Sequence, residues 1–179
     1  MDAIKQYLIP YSISNGLFLL CLVASIKKPI WARLFLALVF LMASYINLKT
    51  AIRTPQVYLE YARLAWLPIY RDFILGYFSR HIKALVIGIA VAEFVIFIGM
   101  LLSKGFLKMA CWSGIIFGLA IAPLGIGSAF PATITMAFAF WKLYRKSVFD
   151  YAWNWKQYKK AGPQNRGEFE TSSMKNITL

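Results

Sequence analysis

Residues 84–103, ALVIGIAVAEFVIFIGMLLS, decide the fold class of this chain. A helix of about 20 residues rises about 30 Å, which is the thickness of the hydrocarbon core of a membrane. Up to its final Ser103 the segment is apolar except for Glu93, which stands near its middle. These residues therefore predict a transmembrane helix that carries one acid at mid-membrane.

The composition of the whole chain agrees with this prediction. Hydrophobic residues make up 60% of the 179 residues and charged residues 15%, against roughly 45–50% and about 25% in soluble domains. A soluble protein would need more polar surface, whereas an apolar exterior is stable in lipid. We therefore expect the lipid bilayer to be a partner of this chain.

Four further apolar segments accompany residues 84–103. The run from Phe106 to Leu143 is too long for one span, and its centre, PLGIGSAFP, contains the helix breakers proline and glycine. A turn is expected there, with a helix on each side. The four segments are 7–26, 30–48, 106–122 and 127–143. Together they predict an all-α polytopic bundle, with residues 1–145 as the transmembrane domain.

Residues 54–80 are aromatic but interrupted by charges, which are costly inside a membrane. We interpret them as two short interfacial helices broken near Pro68, with a re-entrant arrangement as the alternative. Glu60 and Arg63 are spaced to pair on one helix face. Residues expected at the membrane interface are Trp66, Tyr70 and His81.

The two ends of the chain have their own predicted structures. Residues 146–160 have basic and aromatic residues at helical spacing, including Trp153 and Trp155, and predict an interfacial amphipathic helix. Residues 161–179 are polar and are predicted to be a disordered cytoplasmic tail. Because Lys27 and Lys28 follow the first apolar segment directly, we expect it to be retained as a helix rather than cleaved.

Composition also excludes several kinds of site. The 20 basic and 7 acidic residues give a charge of +13, but the basic residues flank apolar runs and mark topology rather than nucleic-acid binding. Cys21 and Cys111 lie inside apolar runs, and His81 is the only histidine. Neither a metal site nor a cofactor is predicted from them.

Glu93 is the strongest candidate for a functional residue. A carboxylate at mid-membrane requires a partner, water or protonation, and intramembrane acids commonly mark functional sites. The opposing interpretation is a protonated acid that joins two helices by a hydrogen bond. If residues 54–80 fold over the bundle, the candidate polar neighbours are Asn47, Arg53, Tyr58 and Arg71.

Other polar side chains in the apolar segments are further candidate partners of Glu93, although hydroxyls in transmembrane helices are more often structural because they bond the preceding turn. These side chains are Ser12, Ser14, Asn15, Ser44, Thr133 and Thr135.

Residues 30–145 resemble the DoxX-like family of small bacterial membrane proteins. The matching features are Asn47 with Ala51 and Pro55, the stretch IGIAVAEFVIFIGMLLSKG, and the stretch GIIFGLAIAPLGIGSAFPATITMAFAFW before a basic exit. The family lysine near the end of the first helix corresponds at best to Lys49. The resemblance implies a four-helix antiparallel core with an added N-terminal helix, in the bacterial inner membrane. The orientation is predicted separately: the basic residues of the short loops and of the tail indicate a cytoplasmic C-terminus, against the six basic residues of the 49–83 segment on the other side. Members are associated with quinol-oxidase components and redox-stress complexes.

Three functions remain open from the sequence. The first is a non-catalytic subunit or scaffold of a membrane complex, acting through a membrane-protein partner or homo-oligomer. The second is a bundle that binds or transports a small lipophilic molecule, such as a quinone or isoprenoid, anchored by Glu93. The third is an enzyme that modifies a lipid, for which the chain offers no catalytic motif.

Overall fold

The computed structural model describes residues 2–146 and 152, and these residues form helices and connecting turns without a strand. Proline opens two of the helices, where its missing N–H leaves no hydrogen bond unmade. The α-helices are α1 (Asp2–Lys27), α2 (Pro29–Arg53), α3 (Tyr61–Leu64), α4 (Pro68–Phe73), α5 (Ser79–Leu101), α6 (Lys104–Ile121) and α7 (Ala132–Arg145). The 3₁₀-helices are Pro55–Glu60 and Ala122–Ser128, and a π-helix spans Ile74–Phe78.

Four helical segments of the described chain are long and apolar enough to cross a membrane: Leu8–Lys27, Pro29–Arg53, Pro68–Leu101 and Gly105–Ser128. Their outward side chains are large and apolar, as lipid requires. The helices are therefore those of an integral membrane protein. With 14 residues, α7 is shorter than a full span, so a fifth crossing stays a prediction.

The five main helices close into a ring in the order α1, α2, α5, α6, α7 and back to α1. The most extensive contact lies between α2 and α5. The turns from α1 to α2 and from α5 to α6 lie at the same end, which we call the Arg33 end. The α6–α7 connection and the exit from α2 lie at the opposite end, which we call the Gly125 end.

Small residues bring α6 close to its neighbours. A Cβ atom at Gly114 would lie 2.5 Å from the ring of Phe140, and one at Gly118 would lie 2.8 Å from the carbonyl oxygen of Thr133. These two glycines, four residues apart, therefore let α7 approach the backbone of α6. Gly99 plays the same role between α5 and α6, where its Cβ would meet Ala110 at 2.7 Å.

The half of the ring nearer the Arg33 end is filled by side chains. Phe40 of α2 lies at its centre, with ring centroids 5.6 Å from Phe117 and 5.5 Å from Phe140. Met100 and Leu36 beside them are completely buried. This packing leaves the Gly125 half as the part of the ring where a cavity remains.

Residues 54–80 differ in part from the sequence-based interpretation. The chain breaks at residues 65–67, just before Pro68, as expected. From Pro68 onward, however, α4, the π-helix and α5 follow one another without a break, so the continuous helical segment that carries Glu93 begins at 68 rather than at 84. The change of composition near residue 84 instead coincides with a kink, since His81 has φ −123° and ψ 20°.

The turn before α7 is also longer than expected. Residues 122–128 form a 3₁₀-helix instead of helical turns of the fifth segment, so α7 begins at Ala132 rather than at 127. Ala129 interrupts the predicted helix, because its φ of +57° lies in the left-handed region, and Gly125 with φ +64° turns the chain just before it.

The predicted amphipathic helix 146–160, with Trp153 and Trp155, and the predicted disordered tail 161–179 lie outside the described residues, apart from Lys146 and Ala152. Ala152 is buried, and its N–H donates to the carbonyl oxygen of Leu101 at 3.2 Å. Residue 152 therefore lies at the Arg33 end.

Candidate functional site

Glu93 lies inside the ring and is only 2% exposed. Asn47 of α2 donates from Nδ2 to Oε2 of Glu93 at 2.7 Å. The hydroxyl of Tyr58 donates to Oδ1 of Asn47 at 2.6 Å. Burial raises the pKa of the Tyr58 phenol, so this hydroxyl keeps the proton that it donates. A chain of two hydrogen bonds therefore runs from the 3₁₀-helix 55–60 to the buried acid.

A second contact fixes how α2 faces α5. Ser44 donates to the carbonyl oxygen of Ala90 at 2.8 Å. Ser44 and Asn47 are three residues apart on α2, and Ala90 and Glu93 are three residues apart on α5, so each pair lies on one helix face. The two hydrogen bonds together hold Asn47 opposite Glu93.

Glu93 and Asn47 line a cavity of about 660 Å³ between the ring helices, and this cavity is partly open to the exterior. All five ring helices contribute to its wall, and residues 58–78 cover its Gly125 end. The volume falls within the usual range of roughly 300–1,000 Å³ for small-molecule sites. Eight aromatic side chains line it: Phe18, Phe40, Tyr58, Tyr61, Tyr70, Phe73, Phe78 and Phe117.

The polar side-chain atoms on this wall that have no partner among the described residues include Oγ of Ser14, Oγ1 of Thr133 and Oε1 of Glu93. Oγ1 of Thr133 makes no hydrogen bond although the residue is only 5% exposed. The hydrogen bond from Asn47 occupies Oε2 of Glu93 and leaves Oε1 without a bond in the described part of the chain. Buried polar atoms are rarely left unpaired, and such atoms facing a cavity indicate room for a polar ligand group.

An outer groove of about 650 Å³ adjoins the cavity. The two spaces share Asn47, Tyr58, Tyr61 and Gly127 in their walls. The rings of Tyr58 and Tyr61 stack with centroids 6.0 Å apart. The stacked tyrosines therefore form part of the partition between the groove and the cavity.

Gly125 allows residues 61–66 to pack over the cavity. A Cβ atom at Gly125 would lie 2.6 Å from the carbonyl oxygen of Leu64 and 2.8 Å from Nε1 of Trp66. The N–H of Trp66 donates to the carbonyl oxygen of Pro123 at 3.0 Å, and its ring meets Phe130 edge-on at 4.3 Å. These contacts attach the covering segment to the α6–α7 connection.

Arg33 lies at the Arg33 end of the ring and is 2% exposed. Its guanidinium donates from Nε to the carbonyl oxygen of Met100 and from Nη2 to that of Leu102. These carbonyl groups belong to the C-terminus of α5, where the helix leaves them unbonded and carries partial negative charge. Arg33 therefore joins the start of α2 to the end of α5.

The sequence-predicted residues fall into two groups in space. Asn47 bonds to Glu93 and Tyr58 bonds to Asn47, as we expected for a chain in which residues 54–80 fold over the bundle. Arg53 lies exposed in the last turn of α2, and Arg71 pairs with Asp72 at 3.4 Å on the surface. The structure therefore does not bring either arginine to Glu93.

The residues predicted for the membrane interface have local partners. Tyr70 donates to the carbonyl oxygen of Ala120 at 2.7 Å and also lines the cavity. Trp66 is 58% exposed. His81 is exposed, with its Nδ1 3.1 Å from the carbonyl oxygen of Tyr77. On the same surface, Arg63 and Glu60 form the expected pair at 3.5 Å.

Sequence reasoning missed Arg33. It is the only charged residue within the predicted span 30–48, and a charge inside an apolar segment could have identified it. Thr133 was a candidate partner of Glu93, and nothing in the sequence distinguishes it from Thr135, which bonds Pro131 just before the same helix. Among residues 2–146 and 152, no group of three His, Cys, Asp or Glu side chains is placed to hold a metal ion.

Comparison with protein-family models, with curated proteins and with solved structures finds no match to this chain. The resemblance to the DoxX-like family therefore stays a prediction from the sequence.

Proposed function

We propose that this membrane protein binds a small lipophilic molecule in the cavity of about 660 Å³, with the polar end of the ligand at Glu93. The observation that carries the proposal is the position of a buried acid on the wall of an apolar, aromatic cavity. An acid that served only to join α2 to α5 would not require an open space beside it. The space and the unpartnered hydroxyl of Thr133 support binding.

The test is native mass spectrometry of the full chain extracted gently from its own membrane. Ala43 lines the cavity, so Ala43→Phe should fill part of it and expel the bound molecule. Ala92 is exposed on α5, so Ala92→Phe adds the same group outside the ring and serves as the control. We expect a non-protein mass on the unaltered chain and on Ala92→Phe that Ala43→Phe lacks. Identical spectra for all three chains would contradict the proposal.

The sequence also predicted a subunit or scaffold, and that hypothesis stays a prediction. A second polypeptide at fixed stoichiometry in the same spectra, together with no cavity-dependent small mass, would favour the subunit over the binding protein. An enzyme that modifies a lipid has no support from the arrangement of the described residues, because only one ionisable carboxyl group lines the cavity.

A further inference from the structure

Several hydrogen-bond donors on the cavity wall are already bonded to the protein, whereas acceptors remain available. The hydroxyl donors of Tyr58 and Tyr70 and the amide donor to Glu93 are already committed to protein acceptors. Oε1 of Glu93 remains as an acceptor, and Ser14 and Thr133 each offer a hydroxyl with one donor and two acceptor positions. The wall therefore has more acceptor capacity than donor capacity, and it fits a ligand that donates hydrogen bonds.

The charge on the wall has one sign. Among the described residues that line the cavity, Glu93 is the only acid, and none is Lys, Arg or His. Arg53 and Arg71 lie outside it. An ionised carboxylate in apolar surroundings is costly unless a counter-charge accompanies it. A positively charged ligand supplies the counter-charge that the protein does not place there.

The aromatic side chains that line the cavity also favour a cationic ligand. A cation within about 6 Å of an aromatic face is attracted by the ring, and the attraction strengthens when water is excluded. Eight aromatic side chains surround this space. They provide both the apolar contact for a hydrocarbon body and the ring faces for a cationic group.

We infer that the ligand is a lipophilic ammonium compound, whose N–H group donates to Oε1 of Glu93 and whose hydrocarbon body fills the aromatic cavity. This inference rests on the proposed function and specifies its ligand class. A neutral quinone is the poorer match, because it has no N–H or O–H group to donate to Oε1 of Glu93 and brings no positive charge. A neutral alcohol donates, but it leaves the charge of Glu93 uncompensated.

Three probes of one shape separate these ligand classes: 1-adamantanamine as the cation, 1-adamantanol as the neutral donor and 1-adamantanecarboxylate as the anion. Binding to the full chain in lipid nanodiscs is measured by equilibrium dialysis. We expect the amine to bind about 30-fold or more tightly than the alcohol, which is the ratio for a buried charge pair worth about 2 kcal/mol. The carboxylate should bind more weakly than both.

Glu93→Gln keeps the shape of the side chain and an oxygen that accepts from Asn47, and it should abolish the preference for the amine while leaving the alcohol bound. Asp72→Asn removes a carboxylate that pairs with Arg71 on the surface and should leave the preference intact. Glu93→Asp keeps the charge and should keep part of the preference. If the amine and the alcohol bind the unaltered chain equally, or if Glu93→Gln preserves their ratio, the cation inference is overturned.

Protonation provides an independent arm of the test. The other titratable side chains on the cavity wall, among the described residues, are Tyr58, Tyr61 and Tyr70. Lowering the pH protonates Glu93 while the amine stays charged, so the ratio of amine to alcohol affinity should fall. If the ratio of amine to alcohol affinity stays constant down to the lowest pH at which the protein remains folded, the role of Glu93 is contradicted.

The same probes distinguish failure of this inference from failure of the proposed function. If the alcohol binds as tightly as the amine and Ala43→Phe excludes both, the cavity binds lipophilic molecules but does not select cations. If Ala43→Phe leaves the binding of every probe unchanged, neither the cavity site nor the cation inference survives.

Discussion

Asn47 donates a 2.7 Å hydrogen bond to Glu93 while it accepts a 2.6 Å hydrogen bond from Tyr58. One amide therefore links the acid of α5 to the segment that covers the cavity. The amide nitrogen of Asn47 bonds to Glu93 and the amide oxygen bonds to Tyr58, so the position of Tyr58 depends on the same side chain that holds Glu93. A substitution of Asn47 is therefore expected to disturb both the covering segment and the position of Glu93.

The first prediction concerns that coupling. Tyr58→Phe removes one hydrogen bond and Asn47→Ala removes both, and each should lower the free energy of unfolding by about 1–3 kcal/mol because buried polar groups lose partners. A double-mutant cycle in detergent, followed by circular dichroism, should give a coupling of at least about 0.5 kcal/mol. Strictly additive effects would show that the two hydrogen bonds act separately.

The second prediction uses the unpartnered hydroxyl. Because Oγ1 of Thr133 has no hydrogen bond among the described residues, Thr133→Val should leave the ligand-free stability within about 0.5 kcal/mol or raise it. The same change should weaken retention of a cavity ligand. Thr135→Val, two residues further along α7, alters a hydroxyl that bonds Pro131 and should leave retention unchanged. Equal effects of the two changes on retention would argue against a ligand at Thr133.

Gly125 supports the third prediction. Its φ of +64° and the nearby Leu64 carbonyl oxygen exclude a side chain, so Gly125→Ala should destabilise the fold by about 1–3 kcal/mol. At Gly88 a Cβ atom would meet nothing within 4 Å. Gly88→Ala in the helix should therefore stabilise by about 0.5–1 kcal/mol. Thermal unfolding of both variants checks the contrast, and a harmless Gly125→Ala would mean that the covering segment packs differently.

The fourth prediction concerns the other end of the ring. Arg33→Met leaves the carbonyl groups of Met100 and Leu102 without their donors, and it should cost about 3 kcal/mol or more of unfolding free energy. Arg33→Lys should recover only part of this loss, since lysine lacks the planar fork of arginine. Lys28 is exposed at the same end, and Lys28→Met should change stability little. If Arg33→Met is as mild as Lys28→Met, the helix-end contacts of Arg33 are not important for stability.

Much of the membrane character follows from sequence alone, because apolar length is a local property. The apolar runs around Cys21, Phe40, Glu93 and Cys111 each predicted a helix that the structure contains. Glu93 stood out for the same reason, as a charge that lipid does not tolerate without compensation. Helices and their ionisable interruptions are therefore predictable without tertiary information.

The cavity was not predictable in this way. Its wall combines side chains from every ring helix with residues 58–78, and only the packing order of the helices brings them together. The continuous helix from Pro68 was also missed, because charges near residue 71 argued for an interfacial position while the backbone remains helical. Arg33 was overlooked because basic residues near the end of an apolar run usually mark topology.

The most direct test of the central claim is a cryo-electron microscopy structure of the full chain extracted gently from its own membrane. The account predicts non-protein density inside the ring, beside Glu93 and Thr133, that is lost in Ala43→Phe and kept in Ala92→Phe. A ring whose side chains fill this space and leave no cavity beside Glu93 would contradict it.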